Sequence, residues 1–518
     1  MTLKEESLAD DTSYATEESR HITRGIGSLT IQNLATSALG FVFLAVLLRL
    51  LPNLDYGIYS AMAVSVGIAA VIAPMGLQYA AAKYLSDTDD RIELRSRANK
   101  ILTLSFLTSA TATAAFILLA NSLSLFFTKS PAWTEAFDVG GLWLFSSSMG
   151  SVVQGTVQGL KKYTALAGML FVARTVMVFF TIIALVISHN LLVTFYAWII
   201  YFTILILWSI RVLFADLGKA PRFENAHSSQ SLSYKDLLRY SVPLGIAGIF
   251  FVLTTEVDLV VVGGDLNPSA LGIYNTAVTI SNVLNFVLIT PLVTALLPEA
   301  SFREKNPSEI SNGMRLAIRF VVLSVLPASF LVAAVSPQLL ELFSGGALYQ
   351  LGSEPLEIIA IFYVFFAVQY VVYSILQAKG RTIQVFAISG FTAASIFGLS
   401  LVLVPQFGLV GAAVARSMTA IVGMVVALYI GRSFLSNLDK WTFYVKALLA
   451  AAIPFSVDFT LTSFVSDKSW TIVPFTLIGA GIFLACLSLF KVLNDEDKTF
   501  FYGAMPSSIR KKLQFLSR

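Results

Sequence analysis

Charge is scarce in this sequence. Only 13% of its 518 residues are Asp, Glu, Lys or Arg, while 56% are hydrophobic. An average soluble domain carries about 25% charged residues. So few charges cannot clothe a water-facing surface, and lipid must be the main solvent. One cysteine, Cys486, excludes an internal disulfide, and the scattered His21, His189 and His227 lack metal-ligand spacing. The net charge of +4 comes with no basic cluster of the kind a nucleic-acid face requires. No Walker sequence, GxSxG or HExxH occurs, so neither ATP hydrolysis nor a cofactor is expected. Asp87-Thr88-Asp89 is a lone DxD in a polar loop, best read as a solvated acidic run. Residues 1–27 are polar and acidic with no apolar core, which speaks against a removable signal peptide.

What is present is a series of apolar runs, each long enough to cross a bilayer as a helix. Fourteen are expected, at 28–51, 57–80, 101–121, 138–158, 165–187, 191–214, 240–264, 270–298, 314–335, 356–378, 383–404, 409–431, 443–463 and 470–493. The fold class is therefore an all-α polytopic membrane protein. The positive-inside rule places both termini in the cytoplasm. Arg49, Lys129 and Lys468 then fall outside, Arg174 and Arg416 fall within spans, and every other Lys and Arg falls inside.

The chain repeats itself. Tyr56-Gly57-Ile58-Tyr59 opens the second run, and Leu271-Gly272-Ile273-Tyr274 opens the eighth. Both runs carry a proline, Pro74 and Pro291, and Gln158-Gly159-Leu160-Lys161-Lys162 corresponds to Gln377-Ala378-Lys379-Gly380-Arg381. The expected organisation is a tail at 1–27, a six-helix bundle at 28–214, a linker at 215–239, a second bundle at 240–431, two further helices within 432–493, and a basic tail at 494–518. Six is an even number, so the bundles should be related by a pseudo-two-fold axis along the membrane normal, with the transport path between them.

Charges inside hydrocarbon are costly and mark candidate sites. Arg174 lies about ten residues into the fifth run, roughly 15 Å deep by helix rise. It reads either as a contact for an anionic head group or as half of a packing salt bridge. Glu256 and Asp258 lie two residues apart and point about 200° from one another, so at most one should face the path. Arg416 is a natural ion-pair partner for either acid. Gln32, Asn33 and Thr36 form a polar stripe on the first run, and Asn275, Asn282 and Asn285 form another on the eighth. Each stripe suits a wet path or helix–helix hydrogen bonding. Gly155 and Gly159 suit close helix packing, and Pro74, Pro291 and Pro327 suit bends.

These features resemble the multidrug/oligosaccharidyl-lipid/polysaccharide exporter superfamily, and within it the Wzx-type oligosaccharide flippases. The resemblance runs from about Ser28 to Arg432. It rests on Leu54-Asp55-Tyr56-Gly57-Ile58-Tyr59, Asp258-Leu259-Val260-Val261-Val262-Gly263, Leu271-Gly272-Ile273-Tyr274, Leu297-Pro298-Glu299 and Leu339-Leu340-Glu341-Leu342-Phe343-Ser344-Gly345. It implies a plasma-membrane transporter, not an enzyme, that flips a polyprenyl-diphosphate-linked oligosaccharide outward by alternating access. Its partners would be that substrate, membrane lipids, H+ or Na+, and glycan-assembly enzymes. Substrate contacts are then expected at Arg174, Arg416, Gln32, Asn33, Thr36 and Asn282, and a coupling ion at Asp258 or Glu256. The alternatives are a cation-coupled multidrug exporter, a peptidoglycan-precursor flippase, or a membrane glycosyltransferase or polymerase. The last wants a large extramembrane catalytic loop, which the spacing of the runs does not provide.

Overall fold

The computed structural model describes residue 28 and residues 31–88, 90–219, 232–291, 293, 307–345, 347–435, 438–464 and 469–493. The described chain is helical throughout. In order come α1 (Ile31–Leu50), α2 (Asn53–Ile72), α3 (Leu77–Ser86), α4 (Arg91–Leu118), α5 (Ala120–Thr128), α6 (Thr134–Gly159), α7 (Tyr163–Ser188) and α8 (Leu192–Lys219). Then follow α9 (Tyr234–Asp265), α10 (Pro268–Ser281), α11 (Pro307–Ala334), α12 (Ser336–Ser344), α13 (Ser353–Ile361), α14 (Tyr363–Ala378), α15 (Thr382–Ile430), α16 (Trp441–Phe464) and α17 (Ile472–Leu489). Eleven of the described helices are long and apolar enough to cross a membrane, twelve when the bent pair around α13 and α14 is one span. The protein is an all-α, multi-pass membrane protein.

A helix lies over each of the fourteen apolar runs, but the helices do not correspond one to one. The 49-residue α15 covers two runs. Pro405 removes a backbone donor and Gly408 takes a left-handed φ of 58°, so the helix breaks there. Gly411 then packs on the Leu403 carbonyl, although eight residues on a straight helix span about 12 Å. The chain therefore turns back on itself. A second break lies at Pro74, where Gly76, with φ 75°, starts α3. By contrast, α11 passes through Pro327 as one helix. Pro291 stands at the edge of the described residues, and Leu297-Pro298-Glu299 lies outside them.

Local signals set the helix starts. Asn267 caps α10 by accepting from the Ala270 amide at 2.8 Å, and Pro268 occupies the first helical position. Asp90 caps α4 in the same way, so this polar loop serves as a helix start; Asp89 of the DxD lies outside the described residues. Gly155 and Gly159 let α6 press directly on the backbone of α3 at Gln78 and Ala81, as their spacing suggested.

Two lobes meet along α2, α9 and α10. The contact is self-equivalent. Asn275 Nδ2 donates to Ser60 Oγ at 3.1 Å, and these residues stand 215 apart. Gly272 lies on the Gly57 backbone at the same offset, and a Cβ on Gly57 would land on the Pro268 carbonyl. Both repeated motifs thus hold a glycine where two backbones touch. We expect Gly57→Ala to cost roughly 1–3 kcal/mol, since backbone cannot yield as a side chain can. Thermal melting of the detergent-solubilised protein would show it. Gly67→Ala, which meets nothing within 4 Å, is the control.

Candidate functional site

A cavity of about 560 Å³ opens between the lobes. On α1 its wall runs from Gln32 to Leu47, about 22 Å along the helix. The wall continues on α2 with Tyr56 and Tyr59, on α7 with Arg174, on α8 with Trp198 and Tyr201, on α9 with Glu256, and on α10 with Asn275. The Arg49 end is crossed by contacts between lobes. Arg49 donates to the carbonyls of Leu342 and Phe343, at 2.6 and 3.3 Å. The Lys129 ammonium donates to the Gly264 carbonyl. Phe41 packs on Phe343, and Tyr56 packs edge-on to Tyr349.

Arg174 enters this cavity inside an aromatic frame. Its guanidinium carbon lies 5.0 Å from the Trp198 ring centre and 5.6 Å from that of Phe43, within cation–π range. Gly40 gives it room, since a Cβ there would stand 3.2 Å from the guanidinium nitrogen. Trp198 Nε1 donates to Tyr59 Oη at 3.1 Å, which holds the indole in place. Among the described residues Arg174 has no carboxylate partner; its hydrogen-bond contact is the Met177 sulfur at 3.8 Å. Glu256 lines the same cavity and forms no ion pair with any described residue.

The other predicted residues divide in two. Gln32 and Thr36 line the cavity and bond to each other, Nε2 to Oγ1 at 3.1 Å. The buried Gln32 Oε1 has no partner. Asn33 faces outward and is exposed, so it takes no part in the wall. Asp258 and Arg416 do not reach the cavity, because they hold each other. Asp258 is fully buried, and its carboxylate accepts from Arg416 at 2.8 and 3.0 Å. It also accepts from Tyr274 Oη at 2.6 Å, while Arg416 donates to the Thr255 carbonyl at 2.6 Å. Asn282 accepts from Tyr363 Oη at 3.0 Å beside a small cavity of about 50 Å³ that Arg416 also touches. Of the two acids on α9, Glu256 lines the cavity and Asp258 faces the second lobe, in keeping with their separation of about 200°.

The aromatic frame of Arg174 went unread in the sequence, though the repeat carries a signal for it. At offsets of 215 to 218 residues, Phe43, Tyr59 and Trp198 correspond to Asp258, Tyr274 and Arg416. Tyr59 and Tyr274 are alike, but one lobe has Phe43 and Trp198 where the other has the ion pair of Asp258 and Arg416. Asp458 on α16 was also missed. It is 1% exposed, packs against Gly479, and borders a cavity of about 230 Å³ between α11, α16 and α17.

Residues 46–348, more than half of the chain, match a family model described as polysaccharide biosynthesis protein. The chain belongs to that family. Relatives include a probable low-salt glycan biosynthesis flippase, Agl15 of Haloferax volcanii, 26% identical over 238 residues, covering 44% of this chain and 47% of that one. An uncharacterised membrane protein of Bacillus subtilis, YabM, is 23% identical over 304 residues, covering 53% and 54%. The chain thus spans about half the length of the curated relatives it matches. Among solved structures, the lipid II flippase MurJ in an inward closed conformation superposes with a TM-score of 0.71, at 14% identity over 89% of this chain and 98% of that one. An inward-facing multidrug resistance MATE transporter of the MOP superfamily gives 0.64, at 14% identity over 79% and 98%. A MOP superfamily transporter from Pyrococcus furiosus gives 0.60, at 17% identity over 81% and 97%. The family member described here has this superfamily's fold.

Proposed function

We propose that this chain flips a diphosphate-linked oligosaccharide lipid from the cytoplasmic to the outer leaflet of the plasma membrane, with both termini cytoplasmic and no covalent chemistry of its own. One observation carries the reading: Arg174 is a cation without a carboxylate partner among the described residues, set in a cavity between two lobes. Family membership supports it, as does the name of the Haloferax relative. A diphosphate needs charge-assisted hydrogen bonds to leave water, and a guanidinium supplies them in a planar fork. Trp198 and Tyr201 line the cavity beside it, and the apolar faces of sugars would stack on such rings. Gln32, Thr36 and Asn275 offer hydrogen bonds. Arg416, held by Asp258, serves the second lobe's packing. Glu256, uncommitted and in the same cavity, is the better candidate for a coupling proton or sodium ion. The test is reconstitution. Proteoliposomes should move a fluorescent polyprenyl-diphosphate oligosaccharide across the bilayer; movement of a cationic drug instead would favour the multidrug alternative.

The lobe contacts at the Arg49 end then act as a gate. Arg49→Ala with Lys129→Ala removes three inter-lobe bonds from cations to helix-end carbonyls, each worth about 1.5–3 kcal/mol. We expect labelling of a Ser60→Cys probe from that side, in a Cys486→Ser background, to rise at least ~10-fold. Unchanged labelling counts against the gate.

A further inference from the structure

The helices outside the repeat carry a second polar cavity. It measures about 340 Å³ and lies where α16 begins and α17 ends, beside Arg319 of α11. This is the side on which the basic loops collect. Arg319 forms the floor and is 3% exposed. It pairs with Asp439 at 3.0 Å, donates to the Val492 carbonyl at 3.0 Å, and lies 4.0 Å over the Phe443 ring. Arg315 reaches the same Asp439 oxygen at 3.5 Å. The wall adds Lys440, Lys446 and Lys491, whose ammonium groups form no ion pair or hydrogen bond with any described residue. Thr442 and Phe443, in the first turn of α16, present the positive end of a 24-residue helix to the same space.

The surroundings distinguish a lipid from a soluble anion. Immediately below the lysines the face of α16 is apolar and open: Trp441 is 78% exposed, and Val445, Leu448 and Leu449 follow on the next turns. A tryptophan at this level is a membrane-interface anchor. A head group in the cavity would have its acyl chains against this strip, whereas a free phosphate gains nothing from it. Basic pockets between spanning helices at the inner face suit such head groups.

We propose that the cavity formed by Arg319, Lys440, Lys446 and Lys491 binds the phosphodiester head group of an anionic membrane lipid, with its chains along α16. The paired Arg319 fixes the floor of the cavity, and the three lysine ammonium groups, with no partner among the described residues, supply the charge that meets the phosphate.

The full-length protein, reconstituted in phosphatidylcholine nanodiscs containing phosphatidylglycerol, is extracted, and retained lipid is counted by native mass spectrometry. Lys440→Gln/Lys446→Gln/Lys491→Gln should lose phosphatidylglycerol, with affinity falling by roughly fivefold per lysine. Lys235→Gln/Arg239→Gln/Lys379→Gln, an equal charge change on the same side, should retain it. Phosphatidylglycerol should raise the melting temperature of the parent and the control but not of the first variant. Equal losses from both variants would mean that lipid follows net charge, and would overturn the site. So would no loss from either, or displacement of the lipid by soluble glycerophosphate at matched concentration.

Discussion

Arg174→Ala is expected to lower the initial rate of flipping by about two orders of magnitude, while costing the protein little stability. A charged hydrogen bond to a phosphate in a water-poor site contributes about 2–5 kcal/mol, and removing it lets the cargo's charge meet hydrocarbon. Stability should fall only slightly, through the lost ring contacts, because among the described residues no carboxylate is stranded when the guanidinium leaves. Those two readouts separate roles. A structural salt bridge would lower melting temperature and transport together. Arg174→Lys should recover only part of the rate, since an ammonium reproduces the charge but not the bidentate fork or the ring stacking. Proteoliposome flipping and detergent melting curves on the same preparations decide the matter. A full rate for the alanine variant refutes the role.

The second large effect falls on the other lobe. Arg416→Ala should destabilise by about 3–5 kcal/mol, because Asp258 would be left fully buried and charged with Tyr274 as its remaining donor. Asp258→Ala strands the guanidinium and should cost a similar amount. The double variant Asp258→Leu/Arg416→Met removes both charges together and should recover most of the loss, since an apolar pair of similar volume often replaces a buried ion pair without penalty. The double-mutant cycle in melting temperature is the measurement. Retained flipping in the double variant would place the pair in the scaffold. Transport lost at full stability would bring Arg416 back among the cargo contacts.

The fold was legible because it depends on long-range averages. Twenty apolar residues announce a span whatever their order. The repeat could be read from Gly57 and Gly272, since only glycine tolerates what those positions meet. The site was legible in part. Arg174 and Glu256 stood out as charges in oil, and the angle between Glu256 and Asp258 followed from helix geometry. Which acid takes Arg416 was not written locally, for the two are 158 residues apart and meet through a tertiary contact. The aromatic frame was hidden for another reason. In a chain with 40 Phe, 18 Tyr and 6 Trp, a ring beside a cation cannot be told from a ring facing lipid until the helices are packed. Asn33 shows the same limit, since one step around a helix separates it from Gln32, and only Gln32 turned inward.

The touching glycines have a further consequence. In a symmetric pair of separate chains, a residue on the axis meets its own copy, and every change there arrives doubled. Here Phe43 and Trp198 differ in kind from Asp258 and Arg416 at the matching offsets, while Tyr59 and Tyr274 are alike. Gly57 and Gly272 had no such freedom, as each is the other's neighbour. The two halves thus differ in chemistry around a contact of bare backbone, which leaves few side chains there to rearrange under the proposed transport cycle.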